Sequence, residues 1–160
     1  MHRVNRKGWS LLELAIVITI IGILVAVAVP FFRIMVKKSR LNTLSNDLRI
    51  HSNAIQRFTM DVGYFPQNFS TTPTFMEGYL SASWNEPSPI GGRYSWSFVE
   101  GESGGKGVAF IDLVPTITHP FMVTYTDIVS LDREMDDGNV GSGYLRVAGN
   151  RIRYYLSLPE

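Results

Sequence analysis

Asp132, Glu134, Asp136, Asp137 and Asn139 crowd into eight positions near the C-terminus. Clustered carboxylates with an amide oxygen suit a hard cation such as calcium, which takes about six to eight oxygen ligands. Asp136, Asp137 and Asn139 lead as ligands on this reading. Asp132 is a fourth with a reservation, because on a helix its side chain would point back by one turn. The spacing is not that of an EF-hand, and a solvated acidic loop turning at Asp137-Gly138 accounts for the same residues, so both readings stand. The second chemically pointed residue is Glu13. It lies at the edge of an apolar run of membrane length, where a carboxylate costs roughly a few kcal/mol unless something answers its charge.

Other chemistries find little footing. His2, His51 and His119 form no pair at metal-ligand spacing, and the chain has no cysteine for a thiolate site or a disulfide. "ESGGKG", residues 102–107, has glycines and a lysine but lacks the phosphate-loop spacing, and reads as a hairpin tip. The serines stand in no nucleophile motif. Tyr64, Phe65, Trp84, Tyr94, Trp96, Phe98, Tyr154 and Tyr155 read as core and loop anchors rather than a ligand platform. The chain therefore reads as a non-enzyme. Its formal charge of +1 suggests no nucleic-acid partner, and loss of Arg3, Arg6 and Lys7 with the first eight residues would take it to −2.

The elements that carry these residues follow from periodicity. Residues 14–32 hold no charge, and 19 residues at about 1.5 Å each give roughly 28 Å, the thickness of a bilayer's hydrocarbon core. In lipid such a segment is helical whatever its propensity, and Pro30 predicts a bend rather than a stop. A secretory signal is the competing reading, but the run is long for one and no small-x-small cleavage site follows it. Ile34, Leu41, Leu48, Ile55 and Val62 then recur every seven residues with Leu44 and Phe58 between them, and Gly63 closes the pattern. The span, residues 9–32, and the amphipathic half, residues 33–62, form one helix of roughly fifty residues. Residues 63–160 form a β-rich domain. "RYSWSFV" and "GVAFIDLV" pair across "EGESGGK", and "GYLRVA" and "RIRYYLSL" pair across Gly149-Asn150, a two-residue connection suited to a type II′ turn. A short helix over 127–135 is capped by Thr126 or Asp127. Residues 66–89, rich in proline and serine, receive no regular structure. The fold class is α+β: a long N-terminal helix, membrane-spanning in its first half, packed on a C-terminal antiparallel sheet.

Lys7-Gly8-Trp9-Ser10-Leu11-Leu12-Glu13, followed by an apolar helix with Pro30, resembles the prepilin leader and N-terminus of type IV pilins and of the pseudopilins of type II secretion. "RFTMDVGYFPQN" is similar to the helix exit of the major pseudopilin. The resemblance implies a leader, residues 1–8, that a prepilin peptidase removes between Gly8 and Trp9 before N-methylating Trp9. It implies an inner-membrane, single-pass chain with a periplasmic C-terminal domain, drawn by an assembly platform and its ATPase motor into a filament with copies of itself and related minor pilins. Glu13 would meet the Trp9 amine of a neighbouring subunit and set the register, with Pro30 shaping the assembly helix. The major pseudopilin also implies a calcium site near the C-terminus. The sequence departs from the pattern at Trp9, where phenylalanine is usual, and in lacking a C-terminal cysteine pair, which leans toward a pseudopilin. The rival class is a membrane-anchored binding module with one span that does not polymerise.

Overall fold

The computed structural model describes residues 10–101 and 107–158. The leader, Gly8 and Trp9 lie outside the described residues, as does the tip of the first hairpin, residues 102–106. The chain divides into two units, Met1–Lys38 and Ser39–Glu160.

Helix α1, Leu11–Val62, is 52 residues long and contains Pro30 without interruption. In the first unit every residue from 10 to 35 is exposed. The most apolar 18-residue window of α1 has a mean hydropathy of 2.9, enough to cross a membrane by length and composition.

In the second unit the same helix is amphipathic. Leu41, Leu44, Leu48, Ile55 and Phe58 recur at three-, four- and seven-residue steps and are buried. The two ends of the expected heptad stay outside the core: Ile34 and Val62 are exposed, because the burying surface covers only the middle turns. Gly63 follows at φ 90°, donating its N–H to the Thr59 carbonyl at 2.8 Å.

The buried helix face meets one antiparallel sheet of four strands: β1 Arg93–Val99, β2 Val108–Val114, β3 Leu145–Ala148 and β4 Arg151–Ser157, in the order β1-β2-β4-β3. Alternation decides which residues face the helix. Tyr94 and Trp96, then Ala109, Ile111 and Leu113, then Ile152 and Leu145 enter the same core as the helix leucines. Each large apolar side chain fully buried there contributes about 1.5–3 kcal/mol. Ala148 pairs with Arg151, so Gly149-Asn150 is the two-residue connection expected, with Gly149 at φ 63°.

The opposite face of the sheet is held by charge. Asp112, 2% exposed, accepts two hydrogen bonds from Arg153 at 2.7 and 3.0 Å, and Arg151 lies at 3.5 Å. The Arg153 guanidinium also sits 3.7 Å from the centre of the Phe110 ring, and Arg146 caps Tyr155 at 4.8 Å.

Two expectations require correction. Residues 66–89 are ordered: short 3-10 turns at Thr74–Met76 and Ala82–Asn85 bury Met76 and Trp84. Phe69 and Trp96 exchange backbone hydrogen bonds of 3.2 and 2.7 Å, covering the free edge of β1. The short helix, α2, begins earlier, at Tyr125–Met135, with Thr124 as its cap. Asp127 at the third helical position accepts the Thr124 N–H at 2.7 Å, closing a capping box that neither Thr126 nor Asp127 could form as the cap.

Candidate functional site

Ser10 and Glu13 form a closed turn at the start of α1. The Ser10 N–H donates to Glu13 Oε2 at 3.0 Å, and Ser10 Oγ accepts the Leu12 N–H at 3.2 Å. The Glu13 half is that of a capping box, whereas the cap hydroxyl takes the N–H of the second helical residue, Leu12, and the carboxylate stands at the positive end of the helix dipole. Part of the Glu13 charge is therefore answered within its own chain. Farther along, the Thr19 hydroxyl is occupied by the Ala15 carbonyl at 2.7 Å. Among the described residues 10–32 no other side chain is charged.

The acidic group lies at the other end of the fold's logic, where α2 stops. Asp136 follows Met135 with φ −146° and ψ −129°, outside helical values, and so ends the helix. Oxygens of Asp132, Asp136 and Asp137 lie within 4.8 Å of one another. Asp132 therefore lies with the other two carboxylates despite its helical position. Asp132 is 0% exposed, and neither carboxylate oxygen has a hydrogen-bond partner. Burial first, and then the negative charges of Asp137 and Asp136, push its pKa up to about 6.

The other members are tied into the loop. Asp136 Oδ2 accepts the Tyr144 N–H in a close contact and the Leu145 N–H at 3.4 Å. Asp137 accepts the Asn139 N–H at 2.7 Å and the Ser142 hydroxyl at 2.8 Å, which lower its pKa. Asn139 Oδ1 accepts the Gly141 N–H at 3.1 Å. Gly143, at φ 68°, passes so near that a Cβ there would lie 1.9 Å from Asp136 Oδ2. Three carboxylates around one point, one of them buried and unpartnered, fit a hard divalent cation held by oxygen ligands.

Residues 3–29 match the model of the prokaryotic N-terminal methylation motif. The chain is 30% identical over 103 residues to the fimbrial protein EcpC of Eikenella corrodens, covering 64% of this chain and 60% of that protein. It is 42% identical over 50 residues to the type IV major alpha-pilin of Moraxella bovis, 31% of each chain. The N-terminus thus carries the methylation motif, and the chain is similar to type IV pilins over part of its length. It spans about three fifths of the first of these relatives and under a third of the second. No solved structure matches it.

In this pilin-like chain, Glu13 and Pro30 lie on the one helix α1, as expected, whereas Gly8 and Trp9 belong to the undescribed N-terminus. The sequence reading missed Ser10 as the partner of Glu13, although Ser-x-x-Glu before an apolar run is the spacing of a capping box. It also missed how deeply His51 is set. His51 is 0% exposed, with both ring nitrogens unpartnered and its ring edge-on to Trp84 and Tyr94 at 5.0 and 4.8 Å. Only the three-dimensional arrangement reveals that, since its helical position alone fits either face.

Proposed function

We propose that this chain is a filament subunit that assembles through α1. The reading is carried by one observation: the methylation motif matched over residues 3–29 runs directly into a helix whose apolar side chains are exposed. A prepilin peptidase cuts after Gly8 and methylates the amine of Trp9. The span anchors the chain in the inner membrane as a single pass, with the residues after Phe32 in the periplasm. An ATPase-driven assembly platform then draws it into a helical filament with its own copies and related minor pilins. Lipid tails are as apolar as leucine, so the helix surface gains by close packing and polar pairing rather than by escaping water.

The test is intact-mass measurement of sheared surface material, which is expected to contain a chain beginning at Trp9. Gly8→Val is expected to leave full-length protein in the inner membrane, since a β-branched side chain would block close approach of the peptidase to the backbone. An uncut wild-type chain found only in membranes would sink the filament reading and leave the anchored binding module. A type II secretion pseudopilus is a second reading of the same filament, favoured by the absence of cysteine and by the acidic loop. Deleting the chain is then expected to stop protein secretion and spare twitching; the opposite result identifies a pilus.

Calcium belongs to this reading as a structural staple. Asp132, Asp136 and Asp137 would hold it, with Asn139 and loop carbonyls as further oxygen donors, and the ion would neutralise the buried Asp132 charge. Because the folded pKa of Asp132 is raised above the ordinary 3.8, its contribution to stability is full below that value. It is lost as pH rises through about 6 unless a cation answers the charge. In melting of the full-length chain in detergent at neutral pH, millimolar calcium is expected to raise the midpoint relative to chelator. Asp132→Asn is expected to raise the midpoint in chelator and to cancel the calcium-dependent rise. Coincident wild-type curves would leave only a charged loop.

A further inference from the structure

We propose that the end of the sheet carrying residues 114–126 is a lipid-contact face, which lies on the bilayer surface while the subunit is still held there by α1. The inference rests on the reading of that helix as a membrane anchor. Direction is set inside the second unit. Tyr94, at the start of β1, donates its hydroxyl to Asp47 at 3.1 Å, early on the buried helix face. Phe98, near the end of β1, donates its N–H to Asn68 at 2.7 Å, beyond the helix exit. The loop after Val114, the residue paired with Arg93, therefore leaves the sheet at the end nearer the early turns of that helix face. Its Met122 sulfur lies 3.3 Å from a guanidinium nitrogen of Arg40. Arg40 comes eight residues after Phe32, the last of the apolar run. Chain length alone keeps it within about 30 Å of the hydrocarbon boundary, and within about 12 Å along an unbroken helix.

The face has the composition of an interfacial surface. Residues 113–126 include no Asp, Glu, Lys or Arg. Ile117 is 102% exposed, Met122 56% and Tyr125 63%. Singly scattered apolar residues need no explanation, but these three share one segment, beside an open cleft of about 160 Å³ lined by Phe121, Val123, Tyr125, Val147 and Arg151. Nor does the isoleucine ride on a slack loop. Thr116 and His119 exchange backbone hydrogen bonds of 3.3 and 3.2 Å across it, and the His119 carbonyl also accepts the Gly92 N–H at 2.8 Å. The Met122 N–H bonds the Ile90 carbonyl at 2.8 Å, and Gly91, at φ 93°, passes so close that a Cβ there would lie 2.0 Å from the Pro120 carbonyl oxygen. A turn braced in this way holds out an isoleucine whose surface stays in water until an apolar phase receives it.

A phospholipid surface fits because both of its chemistries are answered. Ile117, Met122 and the amphipathic ring of Tyr125 suit the acyl boundary. Arg40 suits the phosphates, as does Arg151, whose side chain is 54% exposed while one nitrogen reaches Asp112 at 3.5 Å.

The chain has no cysteine, so a polarity-sensitive fluorophore can be attached at a single introduced thiol. Full-length Ile117→Cys and, as the control beyond the helix exit, Gln67→Cys are reconstituted at high dilution into phospholipid vesicles carrying a lipid-borne quencher. The label at position 117 is expected to shift to the blue and to be quenched several-fold more than the label at 67. The difference is expected to be larger in anionic than in zwitterionic vesicles, and Arg40→Gln to remove that lipid dependence. Equal quenching at both positions overturns the lipid face and leaves the anchor reading intact. Shielding at 117 that arises only as the chain is concentrated in the bilayer gives the face to a second copy and overturns the lipid assignment. A lipid dependence unchanged by Arg40→Gln overturns the part given to Arg40. A chain that alkaline carbonate washes from the vesicles overturns the anchor reading and this inference with it.

Discussion

Glu13→Ala is expected to be inserted and processed as the wild type is, and to form no ordered filament when it is the only subunit present. The substitution spares the apolar span, so the membrane anchor is unaffected: the exposed helix from Leu14 onward keeps every residue. Two interactions are lost. Within the subunit the Ser10 N–H loses its acceptor at 3.0 Å, costing the first turn about 1 kcal/mol. On the proposed filament reading, the Trp9 amine of a neighbouring subunit would also lose its carboxylate in a low-dielectric helical core. Removing one partner of a buried pair there leaves the other charge uncompensated, at about 3–5 kcal/mol. The second loss recurs at every step of the filament, which is why the expected effect on assembly is near complete while that on the monomer is small. Quantifying sheared filaments against total processed chain decides it, and normal filaments from the variant alone would remove the register role. Co-expression with wild type is expected to rescue in part, because a mixed filament retains some pairs.

How far the sequence alone reached can be judged from particular residues. The seven-residue recurrence at Leu41, Leu48 and Ile55 named the buried face of α1, because helix burial is written in period. The two hairpins were legible for the same reason, as alternation bracketed by turn residues. Residues 66–89 were not, since their order comes from single anchors, Met76 and Trp84, dropped into a core whose position depends on the sheet. At the acidic loop, composition pointed to carboxylates. What makes Asp132 distinctive is its burial beside the carboxylates of Asp136 and Asp137, and no local pattern encodes that. The Asp112–Arg153 pair was hidden similarly, because it depends on the register of β2 against β4. At the N-terminus the reverse happened. The Ser10–Glu13 contact was legible there, because Ser-x-x-Glu before an apolar run is a helix-start spacing.

Acidification is expected to destabilise the fold through His51, and the sign follows from its surroundings. The imidazole is buried on α1 against Trp84 and Tyr94 with neither nitrogen hydrogen-bonded, and burial lowers its pKa from 6.5 to about 4. Asp47, one turn earlier on the same helix, already accepts the Tyr94 hydroxyl at 3.1 Å, and burial raises its own pKa. The fold thus favours neutral His51, whereas the unfolded chain binds a proton below pH 6.5. Stability from this residue is full above pH 6.5 and is lost progressively as the pH falls toward about 4. At about 1.36 kcal/mol per pKa unit, the loss approaches about 3 kcal/mol at the acid end. Protonation of Asp132 acts oppositely, stabilising the cation-free fold as pH falls through about 6, so the bare pH profile mixes the two. The comparison with His51→Leu separates them. The leucine variant removes a titrating group and two unpartnered nitrogens while keeping an apolar side chain between the rings. Its unfolding midpoint, measured on the full-length chain in detergent with chelator, is expected to match or exceed wild type at pH 7, and the gap should widen steadily toward pH 4.5. If wild type and His51→Leu fall in parallel across that range, His51 is not the group whose protonation weakens the fold, and the acid sensitivity must come from the carboxylates.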